Sequence, residues 1–458
     1  MRKITLILIF SFVFWGGFAQ SIEGTWYGAL MTPGGKFVLV FHISKENNEY
    51  ASTMDSPAQK LVGVPMLGIS FESNVLTMGG PGGVFIYKGK YKPDSNKVSG
   101  TFSQGGLALP MTLTRDSANT QVRRPQDPKD FPYIREEVTI TNAKAGVQLA
   151  GTLTMPRNKK AEKIVVLVTG SGPENRDEEM FDHRPFLVLS DWLTRNGIAV
   201  LRCDDRGVGS STGDFASATT YDFADDAEAI VSYIKTRPDL KGMKVGLIGH
   251  SEGGVMVSIA ASRNSNIDFV VLLAGPGVPL KQILREGTAL SASESAAAMV
   301  DKVYAYIIKN PGLSAADIDK GIEALVYKEA AKSADGLVLG MQPKTLSDIY
   351  KGQNYSGTWF RKYVALEPTQ FISKLQCPVL AINGTLDMVV RCDENLKAIE
   401  GALQAGGNKH FEIAPMTDLN HFFQKTTAGP IVPYEKIDET FNPAALKKVS
   451  DWINGLKF

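Results

Sequence analysis

The chain has 458 residues, 43% hydrophobic and 21% charged, too long for one ordinary core and suited to two globular domains. Its 49 basic and 48 acidic residues leave a net charge of +1, so no overall field draws in nucleic acid or an anionic membrane. Three cysteines, Cys203, Cys377 and Cys392, are too few for a disulfide scaffold, and no Cys/His spacing suggests zinc.

The N-terminus, "MRKITLILIFSFVFWGGFAQ", sets Arg2 and Lys3 before an apolar stretch from Ile4 to about Trp15, with Ala19 before Gln20. This layout predicts a signal peptide over residues 1–19 and an exported mature chain, periplasmic or secreted; an uncleaved anchor is the alternative. No Cys follows the apolar stretch to suggest a lipoprotein, and no other segment approaches a membrane-spanning length.

Residues 20–115 carry short aromatic and β-branched runs ("TWYGAL", "FVLVFHI", "VFIYKGKY") separated by "TPGG", "GGPGG" and "KPDSN". They predict an antiparallel all-β domain, a small barrel or sandwich, without an acid/base pair or a nucleophile signal. His42 reads as a packed or half-exposed strand residue, and an accessory role, with glycan contact as one option, is expected. Residues 116–135, with three prolines and many charges, read as a linker.

From residue 136 to 458 strands alternate with helices. "KIVVLV" (163–168), "IAVLRC" (198–203), "KVGLIG" (244–249), "DFVVLLAG" (268–275) and "PVLAING" (378–384) are continuous apolar runs of the kind buried on both faces of a parallel sheet. "YDFADDAEAIVSYIKTRP" (221–238) puts Phe223, Ala227, Ile230, Val231 and Ile234 on one helical face. The expected fold is α/β, a mostly parallel doubly wound sheet. Residues 277–373 hold helical patterning without a strand run, which predicts a helical cap over the ligand-binding edge.

"GLIGHSEGG" places Ser251 between an apolar strand and a helix, the setting of a nucleophile elbow. A serine needs a base, and there are five histidines: His42, His183, His250, His410 and His421. His421, in a loop after the last predicted strand, is the choice; His250 is too constrained in the elbow. Asp387 follows a buried strand and would orient the base. Asp393 and Glu394 read instead as the acidic start of a helix, and Asp418 as a loop residue. The order Ser251, Asp387, His421 suits the α/β-hydrolase arrangement. Backbone N–H groups of Ser171 and Glu252 are the candidate oxyanion donors, with Gly172 in reserve; the Glu252 side chain reads as solvated. The acidic run "ENRDEE" lacks calcium-loop spacing and reads as solvated or ion-paired. "RCDDRGVGSSTGDF" is not a phosphate loop; turn geometry and an ion pair of Arg206 are expected there. Cys377 and Cys392 flank a strand and could pair, though buried free thiols are the plainer reading.

The segments "GSGPENRDE", "HRPFLVLSDWLTRNGIAVLRCDDRGVGSSTGDF", "GLIGHSEGG", "CPVLAINGTLDMVV" and "LNHFFQ" together resemble the EstD-like bacterial carboxylesterases of the α/β-hydrolase superfamily, over roughly residues 125–458. Related sequences tend to carry a small β-domain ahead of the hydrolase domain. The resemblance puts the triad on Ser251, Asp387 and His421, and implies hydrolysis of short acyl esters with no cofactor; no metal is expected from the residue spacing. A prolyl-aminopeptidase-like peptidase is the rival, with Glu286, Glu294 and Glu329 of the cap as candidates to hold an amine. A carbohydrate deacetylase and a glycan-binding scaffold with a relic triad are the other readings.

Overall fold

The computed structural model describes residues 22–458 without 33–34, 47–48, 57–60, 81–84, 105–106, 116–123, 159 and 427–433. The expected signal peptide, residues 1–19, lies outside them. The chain divides into two compact units, residues 1–122 and 123–458. No helix among the described residues is long and apolar enough to cross a membrane.

The first unit is one antiparallel sheet of nine strands: β1 (Gly24–Thr32), β2 (Gly35–Glu46), β3 (Glu49–Ser56), β4 (Leu61–Pro65), β5 (Leu67–Glu72), β6 (Val75–Gly79), β7 (Phe85–Lys92), β8 (Lys97–Gln104) and β9 (Leu107–Thr114). The strand order is β4-β3-β2-β1-β9-β8-β7-β6-β5. Its two end strands are separated in sequence by Met66 alone, whose N–H donates to Ser52 O of β3 at 2.8 Å. Alternate residues fill the interior, among them Trp26, Phe41, Tyr87 and Leu113, as period-two patterning requires. His42 stands on the outer face, 2.8 Å from Asp55 and 3.2 Å from Thr25.

The second unit holds an eight-stranded sheet: β10 (Ile134–Asn142), β11 (Val147–Met155), β12 (Lys163–Val168), β13 (Ala199–Cys203), β14 (Lys244–His250), β15 (Phe269–Leu273), β16 (Val379–Gly384) and β17 (Phe411–Met416). Their order is β10-β11-β13-β12-β14-β15-β16-β17, parallel from β13 to β17. The hairpin β10–β11 is antiparallel and is not among the five apolar runs, because β10 alternates buried with exposed positions and the largely buried β11 carries Thr152 and Thr154. Along β12 the side chains divide between two cores: Ile164 and Val166 on one face, Val165 and Leu167 on the other. α1 (Pro185–Arg195) and α11 (Pro443–Gly455) cover the second face. α2 (Thr220–Thr236), α3 (Glu252–Ala261) and α10 (Cys392–Ala405) cover the first.

Six helices intervene between β15 and β16: α4 (Leu280–Ser291), α5 (Glu294–Lys309), α6 (Ala315–Ala330), α7 (Pro343–Gly352), α8 (Thr358–Tyr363) and α9 (Thr369–Ile372). A separate apolar cluster holds α5 to α8 together, through Val303, Ile307, Ile318, Val326 and Phe360. α8 belongs to both bodies, since Phe360 packs in that cluster and Tyr363 in the main core.

The stretch expected to be a linker is not free where it is described. The buried Arg124 guanidinium donates to the carbonyls of Phe181, Asp182 and Ile437 at 3.2–3.3 Å, and Tyr133 is buried with its hydroxyl on Asp191. Proline and charge content marked a break in the pattern, but long polar side chains can anchor a segment by bonding to carbonyls. Cys203, Cys377 and Cys392 are free thiols in the structure.

Candidate active site

β12 has β13 on one side and β14 on the other, which makes the gap between β12 and β14 the switch point of the sheet. Loops leaving the carboxyl ends of these two strands therefore face each other there. The loop after β14 is a single sharp turn. Ser251 has φ 54° and ψ −123°, a conformation a side chain adopts only when its surroundings enforce it. Its N–H donates to Leu273 O at 2.9 Å, and α3 begins at the next residue. The glycines let the backbones approach closely. A Cβ at Gly249 would stand 2.2 Å from Gly253 O, and one at Gly253 would stand 2.3 Å from Val168 O. Backbone carbonyls cannot swing aside as a side chain can. Gly253→Ala is therefore expected to destabilise the fold by about 3 kcal/mol or more. A urea unfolding midpoint within error of the parent would contradict this.

The loops after β16 and β17 bring the other two residues to Ser251. Thr385 N–H donates to Met416 O, and Leu386 N–H to Leu419 O, each at 2.9 Å, which ties the loops together. His421 presents Nδ1 to Asp387 Oδ2 at 2.7 Å and Nε2 to Ser251 Oγ at 3.0 Å. Asp387 is fully buried, and its other oxygen accepts the N–H groups of Val389 and Val390 at 2.8 and 2.9 Å. A carboxylate so fixed holds the proton of His421 on Nδ1 and leaves Nε2 as an acceptor facing the serine. The structure thus brings Ser251, His421 and Asp387 into one line of hydrogen bonds, with Ser251 alone partly exposed.

The loop after β12 closes against the turn, and a Cβ at Gly170 would lie 3.3 Å from Ser251 Cβ. The Gly170 N–H is spent on Glu178 Oε1 at 3.2 Å and Glu174 Oε2 at 3.3 Å, so it is turned away from the serine. Ser171 follows it. Glu252, first residue of α3, carries an N–H with no acceptor inside its own helix.

The Glu252 side chain, expected to be solvated, is 1% exposed. It accepts hydrogen bonds from Ser171 Oγ and Thr220 Oγ1, both at 2.6 Å, and from Trp359 Nε1 at 3.1 Å. Burial raises its pKa above the ordinary carboxyl range, and those three donors pull against the rise. Helix α3 is buried from Glu252 to Ala260, so a carboxylate at its start has nowhere to reach water.

His250 also has a role that its confinement in the elbow did not suggest. Its Nδ1 meets Glu178 Oε1 at 2.8 Å and its Nε2 meets the carbonyl of His421 at 3.0 Å. Burial alone depresses the imidazole, but Glu178 and the His421 carbonyl outweigh it and hold the pKa above its usual value. The acidic run is accordingly mixed. Arg176 pairs with Asp204 at 2.8 Å and Asp177 with Arg202 at 2.8 Å, whereas Glu174 and Glu178 are buried. Arg206 forms its ion pair with Asp226 at 2.7 Å. His183 is a buried structural residue between Thr440 Oγ1 and Tyr434 O. Asp393 and Glu394 lie in the first turn of α10, and Asp418 sits exposed in a turn with φ 60°.

Asp205 lies beneath the same loop, accepting from Thr169 Oγ1 at 2.8 Å and from Glu174 N–H at 3.0 Å. Burial pushes its carboxyl up to about 7 from an ordinary 3.8, against the pull of those donors. A raised folded-state pKa means stability present below about pH 4 and lost as pH climbs through about 7. The two values bound the loss at about 4 kcal/mol. Asp205→Asn is expected to flatten that slope, and urea midpoints of variant and parent at pH 4.5 and 8.5 measure it. A difference between the two proteins that stays constant with pH would count against the assignment.

The structure brings together Ser251, His421 and Asp387, the three residues singled out from the sequence, and adds Glu178, His250, Trp359 and the Glu252 carboxylate, which sequence reading missed. One signal was legible: in "EGGVMVSIAA" a single charge opens a helix with no polar face. Among the described residues no group of three or more His, Cys, Asp or Glu is placed to hold a metal ion.

The profile of the X-Pro dipeptidyl-peptidase (S15) family matches residues 145–417. Esterase EstD of Thermotoga maritima is 25% identical over 333 residues, 70% of each chain. A bifunctional esterase/perhydrolase of Acinetobacter calcoaceticus is 25% identical over 228 residues, 48% of this chain and 77% of that one. Among solved structures, the Pyrococcus furiosus esterase Pf2001 aligns with a TM-score of 0.46 at 18% identity, covering 73% of this chain and 95% of the other.

Proposed function

Because the chain belongs to the X-Pro dipeptidyl-peptidase (S15) family and is a serine hydrolase of the α/β-hydrolase superfamily, we propose that it is a carboxylesterase acting on short-chain acyl esters through Ser251, His421 and Asp387. The observation that carries the reading is the line of hydrogen bonds from Ser251 through His421 to Asp387, at 3.0 and 2.7 Å.

In this reading Ser251 Oγ attacks the ester carbonyl while His421 Nε2 takes its proton, and Asp387 stabilises the imidazolium. The backbone N–H groups of Ser171 and Glu252 receive the oxyanion. His421 then protonates the leaving alcohol. Water, deprotonated by the same imidazole, attacks the acyl-serine and releases the acid, so the enzyme returns to its starting state without a cofactor.

The family name makes a peptidase the second reading. A peptidase that gripped a free amino terminus would need an uncommitted carboxylate near the serine. The cap acids named from the sequence as candidates have other partners: Glu286 with Gln282 at 2.9 Å, Glu294 with Arg285, and Glu329 with Lys302 at 2.6 Å and Lys332 at 2.8 Å. Glu252 and Glu178 are likewise filled by their own partners. These pairings favour the ester. The test compares p-nitrophenyl acetate with an aminoacyl-prolyl-anilide on the same preparation, with Ser251→Ala beside it. Serine-dependent turnover of the anilide with none of the ester would reverse the ranking.

A further inference from the structure

Three elements of the site meet on one buried side chain. Glu252 Oε2 accepts from Ser171 in the loop after β12, and Glu252 Oε1 accepts from Thr220 at the start of α2 and from Trp359 in the cap helix α8. Trp359 also stacks on Tyr363, with ring centroids 4.7 Å apart at 30°. α8 is the one cap helix whose residues enter both the cap cluster and the main core with an indole N–H directed to the elbow.

We propose that Glu252 is a positioning residue that couples the seating of the cap to the oxyanion donors. Its carboxylate holds Ser171 by the side chain, so the adjacent backbone N–H is directed by the same residue whose own N–H is the second donor. Trp359 completes the coupling. With α8 seated, the indole shares Oε1 with Thr220 and the carboxylate is satisfied on both oxygens. With α8 lifted, a buried carboxylate loses a donor, a state that is costly in a low-dielectric interior and favours rearrangement around Ser171. Substrates that fit beneath a seated α8 therefore meet a formed oxyanion site, whereas bulky ones displace Trp359 and meet a loosened one. This rests on the reading of Ser251 as the nucleophile, not on the ester preference.

Trp359→Phe keeps an aromatic ring against Tyr363 and removes only the N–H donor. In Glu252→Gln the amide still accepts at Oε1, but its NH2 replaces the oxygen that receives Ser171. The readout is the rate at which a fluorophosphonate labels Ser251 in the full chain, where Ser251 Oγ displaces fluoride and His421 takes the proton. A phosphonyl oxygen occupies the oxyanion site whatever the natural substrate. Either variant is expected to slow labelling on the order of tenfold. The double variant should be no slower than the slower single one, since both act through one carboxylate. For p-nitrophenyl acetate the loss should fall on kcat, with KM within about twofold.

Labelling of Trp359→Phe at the parental rate, or losses that multiply in the double variant, would overturn the coupling. A loss confined to KM would mean that Trp359 only lines the substrate cleft, which also overturns it. If Glu252→Gln does not fold, Trp359→Phe alone decides. Should the parent label readily and Trp359→Phe label slowly while no ester is hydrolysed, the coupling stands and the esterase reading falls. No labelling of the parent would remove both.

Discussion

Ser251→Ala is expected to lower turnover of p-nitrophenyl acetate by on the order of 10⁴-fold or more, to near the background rate. In the proposed mechanism the Oγ removed is the atom that bonds the acyl carbon, and no other hydroxyl takes its place. Ser171 Oγ and Thr220 Oγ1 both lie against the Glu252 carboxylate, committed to it at 2.6 Å. Ser251 is partly exposed on a turn whose path is set by glycine contacts, so its hydroxyl can go without disturbing the core. The variant should unfold at the parental urea concentration. Retained activity at a tenth of the parental rate would mean that another nucleophile does the work.

Asp387→Asn should cost nearly as much, about 10⁴-fold in kcat at neutral pH, with a small change in KM. The Asp387 carboxylate accepts from Val389 and Val390 through one oxygen and from His421 Nδ1 through the other. An asparagine that keeps the two backbone bonds must turn its NH2 toward the imidazole. The proton on His421 then moves to Nε2, the atom that should accept from Ser251, and the serine faces a donor. Because hydroxide can do the base's work at high pH, the deficit should shrink as pH rises. A pH–rate profile parallel to the parent at all pH values would show that Asp387 does not set the tautomer.

Much of the second unit was legible in the chain. The five apolar runs each became a parallel strand within a residue or two, because a strand covered on both faces needs an apolar side chain at every position. Ser251 was marked by glycines on both sides of a strand–helix junction. His421 and Asp387 were marked by elimination among few histidines and by loop position. Arg124, in the stretch read as a linker, and Glu252, read as solvated, are both buried for one reason. In both cases a charged side chain finds its partners on segments remote in sequence, Ile437 for the first and Trp359 for the second.

By itself, then, the sequence determined which residue types could do chemistry and which apolar runs had to be parallel strands, since both follow from local composition and spacing. Tertiary structure decided what those residues touch. It set Asp387 on His421, took Gly170 N–H away from the serine, gave Glu286, Glu294 and Glu329 of the cap partners of their own, and buried Glu252 beneath α8. The physical reason is that apolar burial is non-directional and leaves a periodic trace along the chain. A hydrogen bond is directional, and its partner is fixed only once loops from different strands have been brought to the same sheet edge.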